Sequence, residues 1–136
     1  MIEYKLTPDL DVDVARDLYL TSTLGERRPI DDRERFAAML RNANLTITAW
    51  DGELLVGISR SVTDFAWMTY LADLAVRKSH QRQGIGKELM RRTQEAAPQA
   101  KLLLLAAPAA REYYPHVGFS HMPHAWWLLP EDRITP

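Results

Sequence analysis

Apolar residues fall at several different spacings along the chain, and each change of spacing marks an element. Ile2 to Leu6 alternates apolar and polar positions, the period of a short strand, and Thr7-Pro8-Asp9 breaks it. From Asp11 the apolar residues Val14, Ala15, Leu18 and Tyr19 recur at helical spacing, with acids in the first turn. Gly25 and Pro29 mark a loop. A second helix is expected from Asp31-Asp32, with Phe36, Met39 and Leu40 on one face. Leu45 to Trp50 and Glu53 to Val62 read as strands joined at Asp51-Gly52, a strong hairpin signal. A further strand runs from about Trp67 to Val76. The Gly84 region opens a helix that reaches about Ala97 and is closed by Pro98.

Lys101 to Ala106 is a continuous apolar run of strand length, as expected for a strand covered on both faces. Pro108 suits the first turn of a helix through Tyr113-Tyr114, which Gly118 stops. Ala125 to Leu129 predicts a last strand. The order is strand, two helices, three strands, helix, strand, helix, strand. It predicts a mixed α/β sheet in which the strand–glycine loop–helix–strand unit crosses over right-handed. There is no internal repeat or linker, so one domain over residues 1–136 is expected.

Composition narrows the chemistry. Among 136 residues there is no cysteine, which removes disulfides, thiolate metal sites and a cysteine nucleophile. The longest apolar run, Leu102 to Ala110, has nine residues and contains Pro108, so a membrane span is not expected. Met1-Ile2-Glu3-Tyr4-Lys5 lacks the order of a signal peptide, and a cytoplasmic protein is expected. The formal net charge is −1, yet Arg77 to Arg92 holds six basic residues and one acid, so that window carries +5 and the remainder −6. A nucleic-acid binder would show a broader excess. A compact basic patch in an acidic chain suits one small polyanion, and equally a solvated helix face.

Inside that window Gln81-Arg82-Gln83-Gly84-Ile85-Gly86 stands between a strand and a helix. Amides at a helix start have no intrahelical acceptor, the macrodipole favours negative charge there, and glycines let a phosphate reach the main chain. A dinucleotide fingerprint would need glycine where Leu89 stands. A P-loop would need glycine at Gln81 and Ser or Thr at Glu88.

The pattern that fits is Gln/Arg-x-x-Gly-x-Gly/Ala, filled by Gln81, Gly84 and Gly86. It is preceded by Asp73-Leu74-Ala75-Val76 and followed by Tyr113-Tyr114-Pro115-His116-Val117-Gly118-Phe119. This set resembles the GCN5-related N-acetyltransferase superfamily over nearly the whole chain, as a small single-domain member like those of bacteria and plastids. The resemblance implies the acyl-CoA N-acyltransferase fold: a mixed, mostly antiparallel sheet of six to seven strands with helices on both faces, splayed at the strand before the glycine loop. It implies acetyl-CoA as co-substrate and no metal. The CoA contacts fall on Leu74, Ala75 and Val76 of the strand and on Gln81, Arg82, Gln83, Gly84, Ile85, Gly86 and Lys87 of the loop. Arg82 and Lys87, with Lys78, are the candidates for the CoA phosphates. Pantetheine amides would pair with Leu74 and Val76, and the Val76 backbone would stabilise the oxyanion.

Tyr114 matches the tyrosine that protonates the departing thiolate in many family members, and it would also touch CoA. A base is less well marked. Strict alternation puts Tyr70, Ala72 and Leu74 on one face and Leu71, Asp73 and Ala75 on the other. Family members place a base at positions equivalent to Tyr70 or Ala72, where neither residue serves. This leaves Asp73 as the conspicuous catalytic candidate, or water linked to Asp73, Asp64 or Glu26. The family's Asn-x-x-Ala is replaced by Ala107-Pro108-Ala109-Ala110, which removes a side-chain contact to CoA.

The resemblance places the loop between the first two helices over the acceptor, so Tyr19, Glu26 and Arg28 are candidate acceptor contacts. Residues 1–64 hold 12 acids against 8 bases, which favours a cationic amine. The acceptor is expected to be a small-molecule amine or a peptide, with neither nucleic acid nor membrane as partner, and family habit suggests a homodimer. His121-Met122-Pro123-His124 has only loose ligand spacing. Trp126-Trp127 reads as one core and one partly exposed indole. The alternative function is a non-catalytic CoA-binding or protein-interaction module on the same fold.

Overall fold

The structure, a computed structural model, describes residues 1–135. It divides into two compact units, Met1–Leu105 and Ala106–Pro136. The first unit holds a five-stranded sheet in the order β1-β2-β3-β4-β5: Ile2–Leu6, Leu45–Asp51, Leu54–Thr63, Met68–Val76 and Lys101–Leu103. The first four strands are antiparallel neighbours and β5 is parallel to β4.

Helix α1, Val12–Thr21, starts where Asp11 accepts a hydrogen bond from the Val14 amide at 3.0 Å, and α2, Arg33–Asn42, starts on Asp32 in the same way. Both helices pack on one sheet face. Leu18, Tyr19 and Phe36 meet Leu55, Ile58 and Ala75 there, and the Tyr19 and Phe36 rings sit edge-on at 5.0 Å. Helix α3, Ile85–Ala96, covers the other face with Ile85 and Leu89 against Ile47, Ala49 and Val56. Gly57 is what lets it come so close: a Cβ there would lie 3.0 Å from Leu89 Cδ1 and 3.1 Å from Ile85 Cγ2. Helices on both faces of a mostly antiparallel sheet agree with the expected fold class.

Four expectations change. Among the described residues the sheet has five strands, not six or seven, because Ala125 to Leu129 forms none. Trp126 and Trp127, outside any strand, are 94% and 76% exposed, so neither is a core indole. The apolar run after α3 pairs only over Lys101–Leu103 and is half-buried at best, so it is not covered on both faces. In the second unit the expected helix is two short pieces, a 3-10 turn at Pro108–Ala110 and α4 at Tyr113–His116, with Gly118 at φ +105° closing it.

A fifth difference decides where Asp73 points. The β3–β4 register slips by one residue: Arg60 lies opposite Asp73 and Ser61 opposite Leu71, leaving Ala72 as a bulge. Residues directly opposite share a face, so Tyr70, opposite Val62, joins the face of Asp73, and Leu71 leaves it. On that face Asp73 is buried, with Oδ2 accepting from Arg60 Nε and Tyr19 Oη, and Oδ1 from Arg28 Nε, each at 2.6 Å. Burial alone would push this carboxyl up. The hydrogen bond and charge of Arg60, then the bonds from Tyr19 and Arg28, outweigh it and hold the group below the usual carboxylate range.

A carboxyl depressed in the folded state contributes stability that is complete above its unfolded pKa, about 3.9, and is lost as pH falls through the folded value. Asp73→Asn should therefore cost about 3–5 kcal/mol at pH 7, because two guanidinium groups lose their anion. The variant should also show a flatter loss of stability below pH 4. Urea unfolding at pH 7 and pH 3 measures both, and a cost under about 1 kcal/mol would show that the cluster is not the anchor inferred from its geometry.

Candidate active site

The candidate site begins where β4 outruns its neighbour. Pairing between β4 and β5 covers only Met68↔Lys101, Thr69↔Leu102 and Tyr70↔Leu103, while β4 continues to Val76. The splay expected before the glycine loop is therefore present within the first unit. The Arg77 amide donates to Val56 O of β3 at 2.8 Å. Amide direction alternates along a strand, so the Leu74 and Val76 amides face away from β3, toward the free edge. Two amides on one edge stand about 6.6–6.8 Å apart, which suits an extended chain carrying its own amides.

The edge leads into the glycine loop. Gln81 Nε2 donates to Val76 O at 2.9 Å, so this side chain occupies the last carbonyl of β4 and leaves the Val76 amide open. Arg82 and Gly84 take φ +64° and +83°, which turns the chain sharply into α3. Glycine meets this requirement at residue 84 without the strain a side chain would bring. Within α3 the first intrahelical bond runs from Glu88 N to Gly84 O, at 3.0 Å, and no side chain caps the start. The amides of Ile85, Gly86 and Lys87 are left as donors at the positive end of the helix.

Gly86 has no packing reason to be glycine. Its φ is not positive, and a Cβ there would make only an ordinary contact, 3.7 Å from Val76 Cγ2. Leaving that volume empty keeps the amide row open to a ligand. The six basic residues of the window also sort cleanly. Arg77 is committed to Leu55 O and Asp17, and Arg91 and Arg92 both bind Glu88. Hydrogen bonds from Arg91 and Arg92 hold the Glu88 carboxyl down at about 2. Lys78, Arg82 and Lys87 are exposed and, among the described residues, have no carboxylate partner. Three free cations therefore surround the free amides, an arrangement suited to phosphate groups.

Other candidates take different places. Asp73 has both oxygens occupied by two arginines and a tyrosine, and its lowered pKa opposes proton capture; it is an anchor in this geometry. Asp64 Oδ1 accepts from the amides of Ala66, Trp67 and Met68, so it shapes the β3–β4 turn. Tyr19 is buried and gives its hydroxyl to Asp73. Arg28 turns inward, donating to Asp73, Ala72 O and Arg27 O, which ties the 3-10 turn Leu24–Arg27 over the β4 bulge. Neither residue is presented to an acceptor. Glu26, on that turn, is exposed with no partner among the described residues.

In the second unit the Tyr114 ring lies edge-on to Tyr113 and Phe119 at 5.4 and 5.5 Å, and the amides of Val117 and Phe119 bond Tyr114 O. Pro108 opens a turn closed by Ala110 N to Ala107 O at 2.9 Å, where the family's Asn is missing. Sequence reading missed the roles of Arg60 and Gly57. A lone arginine inside the apolar strand Ile58-Ser59-Arg60-Ser61-Val62 was the available sign of a buried ion pair.

Comparison with known proteins agrees with this geometry. A GNAT-family acetyltransferase from Streptococcus pneumoniae TIGR4 superposes with a TM-score of 0.79 at 25% identity, over 96% of this chain and 100% of that one. An aminoglycoside acetyltransferase from an uncultured soil metagenomic sample, solved with sisomicin, gives a TM-score of 0.64 at 21% identity over 95% of each chain. AAC(6')-Iy, solved with the bisubstrate analogue CoA-S-monomethyl-acetylneamine, gives 0.74 at 12% identity, over 98% of this chain and 99% of that one. The last two likenesses concern the fold. No curated protein matches significantly. No helix among the described residues is long and apolar enough to cross a membrane. Residues 28–125 match the acetyltransferase (GNAT) domain family, and the chain belongs to that family.

Proposed function

We propose that the protein transfers the acetyl group of acetyl-CoA directly to a primary amine of a small molecule or peptide. The observation that carries this reading is the continuity of the unpaired β4 edge with the uncapped start of α3. Together they offer amide donors first to an extended pantetheine chain and then to a pyrophosphate. Leu74 and Val76 hold the chain, and the amides of Ile85, Gly86 and Lys87 take the pyrophosphate. Lys78, Arg82 and Lys87 balance the phosphate charge.

In the step itself the neutral amine attacks the thioester carbonyl, and the Val76 amide stabilises the oxyanion that develops. The C–N bond forms, the C–S bond breaks, and the Tyr114 hydroxyl gives its proton to the departing thiolate. The proton lost by the amine leaves through water. Of the three carboxylates considered, Asp73 has both oxygens engaged and Asp64 is held below its ordinary range by backbone amides, which leaves the exposed Glu26 as the candidate to receive it. The face of β3 and β4 that carries Arg60 and Asp73 also exposes Val62 and Tyr70, directly opposite one another, which suits the apolar part of an acceptor. Support for a small amine comes from the acidic excess in residues 1–64 and from the aminoglycoside ligands of two structural neighbours. The full engagement of Asp73 is the one observation that favours the alternative, a CoA-binding module without catalysis.

Calorimetry with CoA, followed by thiol release from acetyl-CoA across a panel of polyamines, aminoglycosides, arylalkylamines and peptides, separates the two. Binding without turnover on any amine would leave only the module. Tyr114→Phe should slow turnover by an order of magnitude or more at saturating substrate while CoA affinity stays within about twofold, in keeping with the ~10²–10⁴-fold typical of a positioned acid. Unchanged turnover would remove Tyr114 from the mechanism.

Gly86→Asp offers a sharper test of the phosphate cradle. An acid in the first turn of α3 is favourable to the helix, by roughly 0.3–1 kcal/mol, so the fold should be at least as stable. The same charge faces the phosphates, and CoA affinity should drop at least tenfold. Thermal unfolding and calorimetry on one sample check both halves. Retained affinity would overturn the assignment of the pyrophosphate to this helix start.

A further inference from the structure

Two side chains of the connection from β4 to α3, Ser79 and His80, join Asp51 at the end of β2 in a polar chain that the acetyl-transfer reading leaves unused. His80 ends the 3-10 turn Lys78–His80, and only 15% of its side chain is exposed. Its Nε2 lies 2.8 Å from Asp51 Oδ2, at the end of β2 beside the β2–β3 turn, and its Nδ1 lies 2.7 Å from Ser79 Oγ. The hydrogen bond from His80 holds the Asp51 carboxyl below its ordinary value, so it is an acceptor only. Nε2 must then carry a hydrogen. In the neutral ring Nδ1 accepts from the Ser79 hydroxyl, and in the imidazolium it donates to the same oxygen. Both links survive either protonation state.

The residues that follow have little else to hold them. Gln81, Arg82, Gln83 and Gly84 are all exposed, two of them in the left-handed region, and the helix they enter has no side-chain cap. Their ties to the sheet at this end are the Gln81 side chain on Val76 O and the His80 ring on Asp51. We propose that Asp51, His80 and Ser79 form a latch that fixes the glycine loop to the β2–β3 hairpin, which makes His80 a positioning residue for acetyl-CoA. The latch orders the loop before the ligand arrives, so its loss transfers that ordering cost to the binding step. The consequence for CoA rests on the acetyl-CoA reading; the consequence for the loop does not.

The test uses the full chain with His80→Leu, His80→Gln, Asp51→Ala and the His80→Leu/Asp51→Ala double variant. Amide hydrogen exchange over residues 81–86 is measured without ligand, then CoA binding by calorimetry, then steady-state kinetics. His80→Leu and Asp51→Ala should each speed exchange in the loop. Each should raise the CoA Kd and the KM for acetyl-CoA about five- to thirtyfold, the low end for a hydrogen bond to a charged group because the Asp51 side chain is half exposed, with kcat within twofold. The double variant should be no worse than the worse single. His80→Gln, which carries an N–H donor at a reach close to that of Nε2, should recover most of the loss.

Unchanged exchange in His80→Leu, additive effects of the two single changes, or His80→Gln no better than His80→Leu would each overturn the latch. Asp51→Ala alters an exposed side chain and keeps the test open if a His80 variant folds poorly. Failure of the wild-type protein to bind CoA would defeat the acetyl-CoA reading instead, and the exchange rates would then decide the latch alone.

Discussion

One buried carboxylate holds the ends of four segments together. Asp73 takes the hydroxyl of Tyr19 from α1, the guanidinium of Arg28 from the loop before α2, and that of Arg60 from β3, while itself belonging to β4. Two cations on one anion would leave an excess of donors in a poorly solvated place. The surplus goes to carbonyls: Arg28 to Ala72 O and Arg27 O, Arg60 to Met39 O on α2. A network this fully satisfied is cooperative, and removing its centre costs far more than any exposed ion pair on α3 could.

The position of this knot in β4 matters as much as its strength. Pairing with β5 ends at Tyr70, and Asp73 lies three residues further on, where the strand has a neighbour on one side only. A strand edge released on one side would ordinarily fray. Here the Arg60 bond, the β3 ladder and the contact of α3 across Gly57 hold the other side, so the Leu74 and Val76 amides stay fixed while remaining open. Fixed, unpaired donors are what oxyanion stabilisation requires, because their orientation is settled before the charge develops. The contacts that engage Asp73 thus also fix the backbone beside it, as the proposed oxyanion role would require.

Most of this arrangement was legible in residue order. The strand–glycine loop–helix unit, the helix starts at Asp11 and Asp31-Asp32 and the apolar faces of the helices follow from local rules, and the structure keeps them. The neighbours that alternation gives Asp73 are not all the ones it has. A bulge at Ala72 adds one residue without altering composition or apolar pattern, so strict alternation grouped Asp73 with Leu71 and separated it from Tyr70. Arg28 failed for a related reason: a loop arginine looks available to a ligand, and only the fold shows three acceptors within its reach. Trp126 and Trp127 were assigned by hydrophobicity, which says what a side chain prefers and nothing of whether a strand edge is there to receive it.

The charge distribution shows how structure refines a count. Sequence gives +5 between Arg77 and Arg92, as though six cations acted together. In the fold, Arg77 braces the end of β4 against Leu55 O, and Arg91 and Arg92 are balanced by Glu88 and Glu95 together, with the Glu88 carboxyl ionised down to about pH 2. What remains is three cations, Lys78, Arg82 and Lys87, set around a helix start with three unused amides. Their field is weaker than that of a +5 patch, and at physiological salt it fades within about 8 Å. Long-range capture of nucleic acid is therefore disfavoured, while a phosphate already at the loop meets positive charge and directed donors together. The rest of the chain carries a net −6, so it adds no long-range attraction for such a group beyond what this turn supplies.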